Sequence, residues 1–285
     1  MKELQWIFRD REGRLRSGWA ILVFVLANIG VAELLVLASP ALRTGSLLQT
    51  WLLLISSLAA TAIGCLVVGQ PISAAGFGDR RWWERALVGF VLGAVVVGFL
   101  VGVPWAAGRE GLAGPAVGTN ALVLAGGRQL AQLAPPSAAE EVLLRGFFLQ
   151  QLVRGTNRWA AVLITGTLFG LAHLGNPNVV PLGIVNIVLA GWWLGVLVLR
   201  TGSLWLTIGM HIAWNWFEGF VWGQPVSGMP MDGALVHVTS AKSMLWTGSA
   251  FGPEASLPTA VAVIALTVVA LAWRPEPNRG SVVSS

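Results

Sequence analysis

"ALVGFVLGAVVVGFLVGVPWA", residues 86–106, runs from end to end without an ionisable side chain. A helix of that length, rising about 1.5 Å per residue, matches the roughly 30 Å hydrocarbon core of a bilayer. Predominantly apolar segments recur near residues 18–39, 47–69, 119–153, 158–174, 180–199, 203–222 and 257–273, some of them with a few ionisable groups. Over the 285 residues, 55% are hydrophobic and 11% charged, more apolar surface than one soluble domain of this length can bury. The expected fold is therefore all-α: a polytopic membrane helix bundle of about eight transmembrane helices.

The positive charges arrange these segments across the membrane. Lys2, Arg9, Arg11, Arg14 and Arg16 precede the first; Arg80, Arg81 and Arg85 follow the second; Arg154 and Arg158 follow the fourth; Arg200 follows the sixth; Arg274 and Arg279 follow the eighth. The other side receives Arg43, Arg109 and Lys242, so alternate connections agree and both termini are expected in the cytoplasm. The basic N-terminus leads into a stretch too long for a signal-peptide core, which reads as a retained span. The expected organisation is a basic cytoplasmic segment 1–17, a single membrane domain 18–273 with a core at about 120–222 that carries most of the ionisable groups of the apolar segments and an outer loop at 223–256, and a cytoplasmic tail 274–285. The formal net charge of +5 leaves no basic stripe for phosphates, which excludes nucleic acid as a partner. The lone Cys65 excludes an intrachain disulfide. The lipid bilayer is the expected environment, with the cell (plasma) membrane as the location.

An ionisable group at bilayer depth costs about 2.5–3.5 kcal/mol on insertion scales, so each needs a reason. The densest cluster is "AAEEVLLRGFFLQQLV", residues 138–153. Pro135-Pro136 just upstream predicts a break, with Ser137 as N-cap of a new helix and Glu140 at its third position, the spacing of a capping box. Glu141 and Arg145 stand i, i+4 in the favourable order and are expected to pair. Glu140 points about 100° away and has no local partner, which frees it to act as a base. Phe169 and His173 share one helical face, and so do His211 and Asn215. A carboxylate, two imidazoles and an amide are ingredients for activating water and stabilising an oxyanion. Glu33 and Glu218 read by default as helix-packing hydrogen-bond formers, and Arg128 as a counter-charge with no assigned partner.

"EEVLLR", "FGLAH" and "HIAWN", in that order on successive segments, resemble the motifs of the CPBP family of intramembrane proteases, which comprises type II CAAX prenyl proteases and bacteriocin-processing and immunity-related proteins. The resemblance covers about residues 120–222. It implies an endopeptidase that hydrolyses a peptide bond in a membrane-associated protein or lipidated peptide, a prenylated CAAX-type protein being one such substrate. By that resemblance Glu140 is the general base, His173 binds and polarises the water, and His211 with Asn215 forms the oxyanion site. Glu141, Arg145 and Phe169 are then supporting residues. The cofactor is left open: Glu140, His173 and His211 are also a possible three-ligand set for a divalent metal such as zinc.

Two other classes compete. A membrane scaffold or immunity protein can keep the motif residues without turnover, and a proton-coupled transporter can use Glu and His as a relay, although no inverted repeat is visible. "GFGD" at 76–79 imitates an intramembrane aspartyl protease motif, but Asp10 and Asp232, the remaining aspartates, lie in the N-terminal tail and the outer loop. Most of the fifteen tryptophans mark the membrane interfaces, whereas Trp192, Trp193, Trp205, Trp214 and Trp216 are candidates for holding a lipid chain near the site.

Overall fold

The computed structural model describes residues 5–10, 12–39, 47–115, 117–241 and 243–273. Lys2, Arg11, Arg43, Lys242, Arg274 and Arg279 of the charge pattern, and the tail 274–285, lie outside the described residues.

Each apolar segment folds as helix: α1 (Ser17–Ala38), α2 (Leu47–Val67), α3 (Trp82–Ala106), α4 (Thr119–Arg145) with α5 (Phe147–Gly155), α6 (Arg158–Ala172), α7 (Pro181–Thr201), α8 (Trp205–Trp216) and α9 (Leu257–Ala272). Of these, α1, α2, α3 and α7 are long and apolar enough to cross a membrane by length and composition. The polarity is inverted relative to a soluble protein. Val123 and Leu124 are 71% and 73% exposed, while Glu141 and Arg145 are 0% exposed. Apolar side chains turned outward around buried charges describe a multi-pass membrane protein.

The expected break at Pro135-Pro136 does not occur. Both prolines lie inside the continuous helix α4, and Ser137 is not an N-cap, so the capping-box role for Glu140 falls with it. Two rungs of the hydrogen-bond ladder are lost, but the helix is held by its packing on α2 and α8. The Ser137 hydroxyl donates to the Leu133 carbonyl at 2.7 Å, one turn back along the same helix. The chain bends instead at Gly146, where φ is −79° and ψ −127°, and where a Cβ would sit 2.4 Å from the Val142 carbonyl oxygen.

Two close helix crossings organise the bundle. On α3, added Cβ atoms at Gly89 and Gly93 would meet the carbonyl oxygens of Leu206 and Met210 on α8 at 2.0 and 2.4 Å; conversely, one at Gly209 would meet Ala86 O at 2.0 Å. On α6, Gly166 abuts Gly191 and Trp192 of α7, and Gly170 abuts Val188. In lipid, where tails are as apolar as the helices, close backbone approach through small residues is a principal source of association. The core lies where these pairs meet α4, and it includes Val97, Leu100, Val142, Trp193, Leu194 and Met210.

The structure departs from a purely helical fold at one end. Strand β1 (Glu110–Ala113) pairs antiparallel with β2 (His237–Ala241), opposing Leu112 to Val238 across an irregularity at Gly111/Leu112. This ribbon ties the loop after α3 to the long connection after α8. That connection folds down onto the bundle. Asn176 Nδ2 donates to Ser227 O at 3.0 Å, Gln129 Nε2 to Asp232 O at 2.8 Å, and Asn186 Nδ2 to Glu254 O at 2.7 Å.

Candidate active site

The bend at Gly146 ends α4 one residue after Arg145 and leaves Glu140, Glu141 and Arg145 in the interior. Glu141 and Arg145 form the expected pair, with Nη1 3.1 Å from Oε1 and both side chains fully buried. Arg145 also donates to Gly191 O at 3.3 Å, and its guanidinium lies 4.3 Å from the centre of the Phe169 ring. One buried cation therefore joins α4, α6 and α7. Phe169 in turn meets the imidazoles of His173 and His211 edge to face, at 4.9 and 5.7 Å between ring centres. Its role is that of a wedge that sets both rings.

The two histidines share one arrangement. His173 at the end of α6 pairs Nδ1 with the Phe169 carbonyl oxygen at 2.8 Å, so Nδ1 carries the proton and Nε2 is free. His211 on α8 pairs Nδ1 with Glu141 Oε1 at 3.1 Å, and its Nε2 lies 3.7 Å from Glu140 Oε2. The adjacent carboxylates thus divide as their 100° separation suggests. Glu141 is fully buried and orients His211, while Glu140 remains partly exposed and faces a cavity. Asn215, one turn beyond His211, donates from Nδ2 to Ser137 Oγ at 2.9 Å.

Glu140, His173, His211 and Asn215 all line this cavity of about 200 Å³. Trp193 and Trp214 of the tryptophan candidates line it too. The indole N–H groups of Trp192, Trp205 and Trp216 instead bond backbone carbonyls of Leu163, Phe77 and Gly126. With two free Nε2 atoms and a carboxylate, the donor chemistry suits zinc, but among the described residues no three His, Cys, Asp or Glu side chains converge closely enough to hold a metal ion.

Several contributors escape the motif reading. Ser137 takes the Asn215 amide. Asn186, a lone amide in the apolar "GIVNIVLAG", anchors the turn before α9. Glu254 and Ser227, from the long connection, line the cavity without any sequence signal beyond their proximity to α9 and α8. The default readings of the remaining ionisable groups change as well. Both Glu218 carboxylate oxygens are buried without a hydrogen-bond partner among the described residues, and Glu33 and Arg128 are exposed. Asp79 of "GFGD" pairs with Arg85 at 3.3 Å, a structural bridge away from the cavity.

Residues 128–217 match the family described as type II CAAX prenyl endopeptidase Rce1-like. A comparison with curated proteins finds no match. The matched segment contains Glu140, Glu141, Arg145, Phe169, His173, His211 and Asn215, the residues whose side chains assemble around one cavity and its supporting ion pair. That segment, about a third of the chain, is similar to the Rce1-like type II CAAX prenyl endopeptidases, and it is the part that carries Glu140, His173 and His211 of the cavity wall.

Proposed function

We propose that this protein is an intramembrane endopeptidase that hydrolyses a peptide bond in a membrane-associated, lipidated substrate, with Glu140 as the base. The observation that carries the reading is the Glu140 carboxylate facing the cavity within 3.7 Å of His211 Nε2, with His173 and Asn215 on the same walls. Water held between Glu140 and the free Nε2 of His173 loses a proton to the carboxylate as its oxygen attacks the scissile carbonyl. Charge developing on the carbonyl oxygen is met by the second Asn215 N–H and by His211 when Nε2 carries a proton. Glu141 stabilises that form of the ring and fixes its orientation, as an aspartate does for a catalytic histidine in serine proteases. No step requires a metal. Trp193 and Trp214 supply an apolar wall suited to a lipid chain.

The orientation proposed from the charge pattern, with eight spans, both termini cytoplasmic and the plasma membrane as host, puts the cavity towards the outer ends of α6, α7 and α8 under the 223–256 connection. The decisive experiment is a census of protein termini in cells carrying the wild-type chain or Glu140→Gln at equal abundance. Termini present only with the wild type support the reading and name the substrate. Identical termini with a stably inserted variant would overturn it in favour of a scaffold or immunity role.

A further inference from the structure

We propose that Glu254 is the general acid that protonates the leaving amine, an inference that rests on the hydrolytic reading above. Glu254 sits on the short turn Pro253–Ala255 immediately before α9, is 8% exposed, and lines the same cavity as Glu140, His173, His211 and Asn215. Its backbone is clamped. Asn186 Nδ2 donates to Glu254 O at 2.7 Å and to Ser256 O at 2.8 Å, and Thr259 Oγ1 donates to Pro253 O at 2.6 Å. These bonds fix the turn from which the carboxyl projects into the cavity.

Its surroundings favour the neutral acid. Oε2 is buried with no hydrogen-bond partner among the described residues, and no Lys or Arg ion pair to it exists among them. Glu218 packs against the same turn: a Cβ added at Gly252 would lie 2.9 Å from Glu218 Oε1. Two neighbouring buried carboxyls without a cation do not both ionise. Burial raises Glu254 above the ordinary carboxylate range, against the lowering effects of Ser227, His173 and His211. Glu140, by contrast, is partly exposed beside an imidazole. Two carboxyls in one cavity, one buried on a clamped turn and one open to the cavity, can divide the roles of acid and base.

The protons balance. Glu140 takes one from water as the C–O bond forms. On collapse of the tetrahedral adduct the C=O re-forms, the C–N bond breaks with its electron pair passing to nitrogen, and nitrogen takes the proton of Glu254. The new carboxylic acid ionises and returns a proton to Glu254, while the proton on Glu140 leaves with the amine as ammonium. The net change is amide plus water to carboxylate plus ammonium.

The test uses the full chain in liposomes with two probes: a farnesylated peptide whose scissile amide follows the modified cysteine, and its thioester isostere. A thiolate leaves without protonation and an amine does not. Glu254→Gln is expected to lower amide cleavage about a hundredfold or more while leaving thioester cleavage nearly unchanged, and Glu254→Asp to recover part of the amide activity. The thioester rate doubles as the measure of correct folding. Equal losses on both probes, or no loss on either, would overturn the acid assignment while the protease reading stands. Failure of the wild type on both probes would overturn the hydrolytic reading itself.

Discussion

At the scale of single residues, the most informative substitution is not at the base but beside it. Glu141→Gln leaves Glu140 in place and removes the charge that faces Arg145 and fixes His211 Nδ1. Leaving Arg145 fully buried without its partner is expected to cost about 3–5 kcal/mol of stability. Glu140→Gln should abolish turnover with little change in stability, because its carboxylate opens on the cavity and holds nothing together. Unfolding in graded denaturing detergent alongside a cleavage assay separates the two, and equal stability of both variants would contradict the division of labour. A second residue-scale expectation concerns metal. Since Glu140, His173 and His211 do not converge, exhaustive chelation should leave activity intact; a loss reversed by added zinc would contradict this. The motif residues themselves were legible because they are the rare charges in apolar segments and carry helical spacing. Glu254 and Ser227 were not, since their place in the cavity depends on how a long connection folds back, which no local periodicity encodes.

At the scale of elements, helices were legible from apolar runs, but the punctuation between them follows the bundle rather than the local sequence. Pro135-Pro136 predicts a break in water, where freed carbonyls must find solvent and the ring strains the turn before it. Within a packed membrane bundle, neighbouring helices hold the helix through the prolines, and the bend passes to Gly146. The glycines that matter for packing were likewise hidden among 35 of them. Gly209→Ala puts a methyl group 2.0 Å from the Ala86 carbonyl oxygen, so α3 and α8 must separate. Overpacking of this kind costs about 1–3 kcal/mol. Because α8 carries His211 and Asn215, cleavage should fall together with thermal stability; Gly102→Ala on the same α3, with open space around it, serves as the neutral comparison. The ribbon of β1 and β2 makes a separate prediction. Glu110 is buried against Gln224, and burial raises its carboxyl to about 7. A carboxyl whose folded value exceeds its unfolded one stabilises fully below the unfolded value of 4.5, and that stability is lost as pH rises through 7. The slope across this window is at most about 1.4 kcal/mol per pH unit. Hydrogen-exchange protection in 237–241, taken relative to the base-catalysed intrinsic rate, should therefore fall between those pH values, and Glu110→Gln should flatten that response.

At the scale of the whole molecule, the arrangement of charges and the position of the cavity make a joint demand. If alternate connections rich in Arg face the cytoplasm, then His173, Asn186 and the turn at Glu254 lie towards the opposite ends of their helices, beneath a connection held down by Asn176, Gln129 and Asn186. A lipidated substrate anchored in the cytoplasmic leaflet would then have to reach the cavity between helices rather than through its mouth. Met229 lines the cavity and is 44% exposed, and Cys65, the sole cysteine, is buried. Met229→Cys in a Cys65→Ala background should accept a membrane-impermeant maleimide from outside intact cells, while Arg80→Cys on the opposite connection should not. Reactivity of Met229→Cys only after the cytoplasmic face is opened would invert the orientation. It would also turn the cavity mouth towards the leaflet that prenylated cytoplasmic proteins occupy, so the labelling pattern decides between lateral entry and direct access to the same cavity.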